Sequence, residues 1–86
     1  MREYVVRFAR SARKELESLG SHLLARIFPR IEALSRNPRP PGCRKLRGTR
    51  NLWRIRVGEY RIVYEILDDP GLIDVVAVRH RKDAYQ

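Results

Sequence analysis

The sequence predicts a two-layer α+β fold: an N-terminal strand, a helical hairpin, then an antiparallel sheet of four to five strands. Three observations carry this expectation. Apolar and polar residues alternate on both sides of Gly58-Glu59, the period of half-buried strands. Residues 24–34 instead repeat apolar side chains at helical spacing. Residues 72–79 are apolar on both faces, as in a central strand. Helices that precede a run of strands cover one face of an antiparallel sheet.

Each element has its own signal. Residues 3–8 alternate, with Tyr4, Val6 and Phe8 on one side, and read as a first strand. Ser11 suits the cap of a first helix whose buried stripe is Ala12, Leu16 and Leu19. Gly20-Ser21 breaks that helix. The second carries Leu24, Ile27, Phe28, Ile31 and Leu34 on one face. Pro29 falls inside it, removes a backbone bond and crowds the Ala25 carbonyl, so a kink is expected. Asn37-Pro38-Arg39-Pro40-Pro41-Gly42 is a loop. Residues 44–48 read as a short edge strand with Leu46 in the core. Strands over about 52–57 and 60–67 follow, then a turn at Asp68-Asp69-Pro70-Gly71 and the last strand. Residues 80–86 form a polar tail. Residues 1–86 make one small domain.

Glycine opening a two-residue loop suits a type II′ turn, and that loop sets the hairpin register. Val57 faces Tyr60, Arg56 faces Arg61, Ile55 faces Ile62, Arg54 faces Val63 and Trp53 faces Tyr64. Cross-strand partners share a face. Trp53, Ile55, Val57, Tyr60, Ile62 and Tyr64 therefore form a core face under the helices. Arg54, Arg56 and Arg61 form the other. Like charges directly opposite each other cost stability, so Arg56 and Arg61 call for an anion. A merely solvated sheet face is the plain alternative.

The formal net charge is +9, and most of it is local. Residues 39–61 hold eight Lys/Arg and one acid, a net of +7. Such a field points to a polyanion or an acidic protein partner. Sixteen of the nineteen basic residues are Arg, whose planar fork of donors fits phosphate. A compositional bias would produce the same ratio. Cys43 is the lone cysteine, which fits a reducing compartment. Arg7 and Arg10 interrupt the N-terminal apolar residues before a signal peptide can form, and no apolar run is long enough to span a bilayer. A soluble cytoplasmic protein is expected.

The sequence contains no cluster of His and Cys with metal-ligand spacing, no phosphate-binding glycine loop and no nucleophile motif. Neither a metal nor another cofactor is expected. The cation cluster suits phosphoryl chemistry, in which positioning and charge stabilisation dominate. An RNA 2′-hydroxyl can attack its own 3′-phosphate, given a base, cations and an acid. Arg81 and Tyr85, just beyond the last strand, come toward the end of the sheet. His80 has the pKa range of a proton carrier but also reads as an ordinary strand-end histidine. Tyr85 can equally be a terminal packing aromatic, and Trp53 reads as core.

Lys45-Leu46-Arg47-Gly48, the run from Leu52 to Glu65, and Val78-Arg79-His80-Arg81-Lys82-Asp83-Ala84-Tyr85 together resemble the RelE/ParE superfamily of toxin–antitoxin toxins. The resemblance implies a five-stranded antiparallel sheet with the first strand beside the last. It also implies a cognate antitoxin that wraps the toxin in a hetero-oligomer. RelE-like members cleave mRNA in the ribosomal A site. ParE-like members poison DNA gyrase. The motif favours the RelE-like branch, a ribosome-dependent, metal-independent endoribonuclease.

By similarity, Arg54 and Arg56 match basic residues at the scissile phosphate, and Lys45 and Arg47 lie in the preceding basic motif. Arg61 matches the arginine of the Tyr-Arg-hydrophobic-Val-Tyr motif, and Arg81 and Tyr85 match catalytic positions. The best-known members carry lysines where Arg54 and Arg56 stand. Arginine stays protonated, so a base must come from Tyr85, His80 or the ribosome. A non-enzymatic gyrase inhibitor and a basic RNA-binding module remain the other readings.

Overall fold

Gly58 sets the centre of the fold. In the computed structural model, which describes residues 3–82, it adopts φ +60° while Glu59 does not enter the positive-φ region. That combination is the type II′ turn expected of a Gly-X hairpin loop. It joins β3 (Leu52–Val57) to β4 (Tyr60–Leu67) in the register read from the sequence, Arg56 opposite Arg61 and Ile55 opposite Ile62. Before the hairpin come β1 (Val5–Phe8), α1 (Arg10–Glu17), α2 (Ser21–Glu32), a 3₁₀ turn over Ala33–Ser35 and β2 (Arg44–Lys45). β5 (Leu72–His80) closes the chain of elements, and the sheet order is β1-β5-β4-β3-β2.

The first strand does lie beside the last, but parallel to it, so the sheet is mixed and not wholly antiparallel. Alternation of side chains tells which face a strand buries and is the same in either direction. Strand direction was therefore not legible from residues 3–8.

One face of the sheet carries the core. Ile55, Val57, Ile62, Tyr64, Ile66, Ile73, Val75 and Val78 pack there against Ala12, Leu16, Ile27, Ile31 and Leu34. Trp53 and Tyr60 are half-buried at its margin. α2 runs through Pro29 as one helix, with Leu24 half-buried and Phe28 exposed at its outer side. β2 is shorter than expected, and Leu46 is only half-buried.

β5 lies inside the sheet, yet its apolar run has a different cause from burial on both faces. Val63 pairs with Ala77 but Tyr64 pairs with Val75, so Val76 is an extra residue, a β-bulge. The bulge shifts the phase, and the core side chains fall at Ile73, Val75 and Val78. α1 covers the edge of β5 where β1 stops. The Ser11 hydroxyl donates to the Val76 carbonyl at 3.3 Å, and the Val78 N–H donates to Glu15 Oε1 at 2.8 Å. Ser11 is thus not the helix cap; Ala9 holds that position with no side-chain cap bond.

Candidate functional site

The basic site begins with strand register. β3 sets Arg56 opposite Arg61, and β4 sets Arg61 opposite Arg79, a row of three guanidinium-bearing residues across three strands. Adjacent like charges on a sheet repel. One of the three is drawn aside: Arg79 Nε lies 3.1 Å from Glu15 Oε2 on α1. Arg81 enters from beyond β5. Its backbone N–H donates to the Glu59 carbonyl at 2.7 Å, and its Nε lies 3.5 Å from Glu59 Oε2.

These contacts enclose an open cleft of about 350 Å³ lined by Arg56, Gly58, Glu59, Tyr60, Arg61 and Arg81. Three permanently charged guanidiniums face one carboxylate there. The cleft can bind an anion and stabilise charge developing on it. No arginine in it can accept a proton.

A second cleft of about 580 Å³ lies on the other side of Arg56, lined by Arg30, Pro41, Gly42, Arg44, Arg54, Ile55 and Arg56. Arg44 pairs with Arg54 in the β2–β3 register and so shares its face.

The residues singled out from the sequence divide accordingly. Arg56, Arg61 and Arg81 come together at the first cleft, and Arg54 and Arg56 at the second. Lys45 does not join them, because it pairs with Trp53 and takes the opposite face from Arg54. Arg47 is exposed beyond the end of β2 and lines neither cleft. His80 is also on the other face. It pairs with Tyr60, meets that ring edge-on at 5.3 Å between centroids, and its Nδ1 accepts the Lys82 N–H at 3.2 Å. It lines a separate depression with Glu15, Ser18 and Arg79. Tyr85 lies outside the described residues.

Arg39 serves the scaffold. It sits 5.0 Å over the Trp53 ring and bonds Asp68 at 3.1 Å. Tyr4 donates its hydroxyl to the same carboxylate at 2.7 Å. The Arg39 and Tyr4 hydrogen bonds hold the Asp68 carboxyl below its ordinary pKa. Burial pushes the Tyr64 hydroxyl above its ordinary value, and that hydroxyl donates to the Pro38 carbonyl at 2.7 Å. Among the described residues no group of His, Cys, Asp and Glu is arranged to hold a metal ion.

Three residues of the clefts were missed in the sequence. Arg44 was one position from the residue chosen, and the β2 register decides between them. Glu59 was read only as a turn residue, although its place beside the cleft follows from the hairpin loop. Arg30 has no local signal, because only the packing of α2 brings it to the β3 edge.

The family model described as the ParE toxin of the parDE type II toxin–antitoxin system matches residues 6–85. The chain belongs to the RelE/ParE family of type II toxin–antitoxin toxins. Toxin RelG of Mycobacterium tuberculosis is 33% identical over 84 residues, covering 96% of this chain and 97% of its own. The mRNA interferase toxin RelE of Escherichia coli K12 is 29% identical over 86 residues, covering 95% and 90%. The toxin–antitoxin complex RelBE2 from Mycobacterium tuberculosis contains a chain that superposes with a TM-score of 0.80 at 32% identity, covering 92% of this chain and 99% of that one. The RelE/ParE assignment accounts for the strand–helix–helix–sheet order. No helix among the described residues is long and apolar enough to cross a membrane.

Proposed function

We propose that this chain is an mRNA interferase: a toxin that cleaves mRNA in the ribosomal A site and so stops translation in the cytoplasm. The observation that carries the reading is the convergence of Arg56, Arg61 and Arg81 on one open cleft. The RNA 2′-hydroxyl attacks the adjacent phosphorus and loses its proton to a base. The P–O5′ bond breaks, the 5′ oxygen takes up a proton, and a 2′,3′-cyclic phosphate remains. Arg61 and Arg81 neutralise charge on the pentavalent phosphorane, and Arg54 and Arg56 hold the strand. His80 faces away, so the base is Tyr85 or a ribosomal group. No metal takes part in this scheme.

The partner in this reading is a cognate antitoxin that covers the basic segment 39–61 with acidic and apolar residues. The RelBE2 toxin–antitoxin complex of Mycobacterium tuberculosis supports an antitoxin as the partner. The description of the matching family model favours a second activity, non-nuclease inhibition of DNA gyrase. Inducing the chain alone separates the two. Primer extension on cellular mRNA should show new 5′ ends within minutes while plasmid supercoiling is unchanged. Altered supercoiling with intact mRNA reverses the assignment.

A further inference from the structure

His80 faces away from the first cleft, yet it is tied to the chain on both sides of Arg81. The β4–β5 ladder ends at the Tyr60–His80 pair. The Arg81 N–H still reaches the Glu59 carbonyl at 2.7 Å, but Lys82 lies past the strand. Its N–H donates instead to Nδ1 of His80 at 3.2 Å. A side-chain acceptor bonded to the N–H two residues on closes a small turn, as Asn and Asp side chains do. The residue enclosed by that turn is Arg81. The half-buried imidazole is itself set by the edge of the Tyr60 ring, with 5.3 Å between centroids and 84° between planes. Because Nδ1 accepts, the neutral ring carries its proton on Nε2.

We propose that His80 is a positioning residue for the cleavage reaction: its imidazole accepts the Lys82 N–H, closes the turn around Arg81, and so holds that guanidinium at the cleft. This role rests on Arg81 acting at the reacting phosphate. The surroundings of Arg81 explain the need for a brace. Its side chain is 65% exposed, and its ion pair with Glu59 joins two exposed groups, so neither burial nor that pair fixes it. Its backbone is anchored on one side by β5 and the Glu59 carbonyl, and the His80–Lys82 bond anchors the other. A cation must be in place before charge develops, and a displacement of about 1 Å can cost about 10²-fold in rate. The ring stands on the opposite sheet face from Arg56 and Arg61, so it acts through the backbone and not on the substrate.

Asparagine separates an acceptor from a proton carrier. It holds Oδ1 the same number of bonds from the backbone as Nδ1, and it does not ionise. Turnover is measured with the purified chain on ribosomes holding a defined codon in the A site. His80→Ala should lower kcat about tenfold with KM little changed, and His80→Asn should restore it to within about twofold. His80→Gln, whose acceptor stands one bond further out, should behave like His80→Ala. In an Arg81→Ala background, His80→Ala should cause no further loss, since the brace then has nothing to hold. Amide hydrogen exchange followed by NMR should quicken at Arg81 and Lys82 in His80→Ala and return toward parent rates in His80→Asn.

Equal losses in His80→Ala and His80→Asn would make the ring a proton carrier and overturn the proposal. So would parent-level turnover in His80→Ala, a His80→Ala loss that persists undiminished over Arg81→Ala, or one confined to KM. Unchanged exchange at Arg81 and Lys82 alongside lost turnover overturns the brace and leaves the cleavage reading standing. Quickened exchange with no mRNA cleavage by the parent refutes the nuclease reading, and the role of His80 in it, while the turn itself remains.

Discussion

Arg81 is held to Glu59 twice, by a backbone hydrogen bond of 2.7 Å to its carbonyl and by a side-chain ion pair of 3.5 Å. The backbone bond places the arginine at the cleft. The ion pair occupies its guanidinium with an internal anion. Both side chains are more than half exposed, so the pair contributes little to stability.

Glu59→Gln should therefore leave stability within about 0.5 kcal/mol of the parent while tightening oligonucleotide binding. Glu17→Gln, an exposed charge-matched change on α1, should tighten it less. Urea denaturation and fluorescence anisotropy read the two effects. Weaker binding in Glu59→Gln would show that the carboxylate helps hold the strand.

Arg61→Ala and Arg81→Ala should reduce mRNA cleavage by about 10²–10³, the loss of a transition-state cation. Circular dichroism should show both still folded. Tyr85→Phe should also impair cleavage if the phenol carries a proton. Full toxicity in all three variants would make gyrase the preferred target.

Glu15 accepts from the Val78 N–H and binds Arg79. Glu15→Ala leaves that edge N–H without its acceptor and should cost about 1–3 kcal/mol in urea midpoint analysis. Glu15→Gln keeps a carbonyl acceptor and should cost less. Equal losses would assign the effect to charge and not to the strand edge.

Asp68 gives a pH dependence of known sign. Its folded pKa is lowered below the ordinary 3.8, chiefly by the Arg39 hydrogen bond and then by Tyr4. Its contribution is fully present above the unfolded value and is lost as pH falls through the folded one. Asp68→Asn should flatten that part of the acid limb below about pH 4 and leave neutral-pH unfolding cooperative. An unchanged acid limb would show the Arg39 contact to be absent in solution.

The hairpin and its arginine face were legible because two strong local rules agree there. Alternation names the faces, and a two-residue loop with Gly58 admits one register. β5 was harder, since Val75, Val76, Ala77 and Val78 are all apolar and hide the bulge at Val76. His80 illustrates the gap between chemistry and place. An imidazole at a strand end made it a candidate proton carrier, but its register partner Tyr60 sets it on the core side of the sheet. Arg30 shows the remaining limit, because helix phase says that it is exposed and not that it overhangs β3.

The stretch of β3 beyond Arg54, which β2 does not pair, has a consequence for the chain at high concentration. Backbone N–H and C=O groups on such an edge would ordinarily recruit a second copy. Here a second molecule presenting the same edge would set Arg56 against its own counterpart. That repulsion discourages the protein from polymerising with itself.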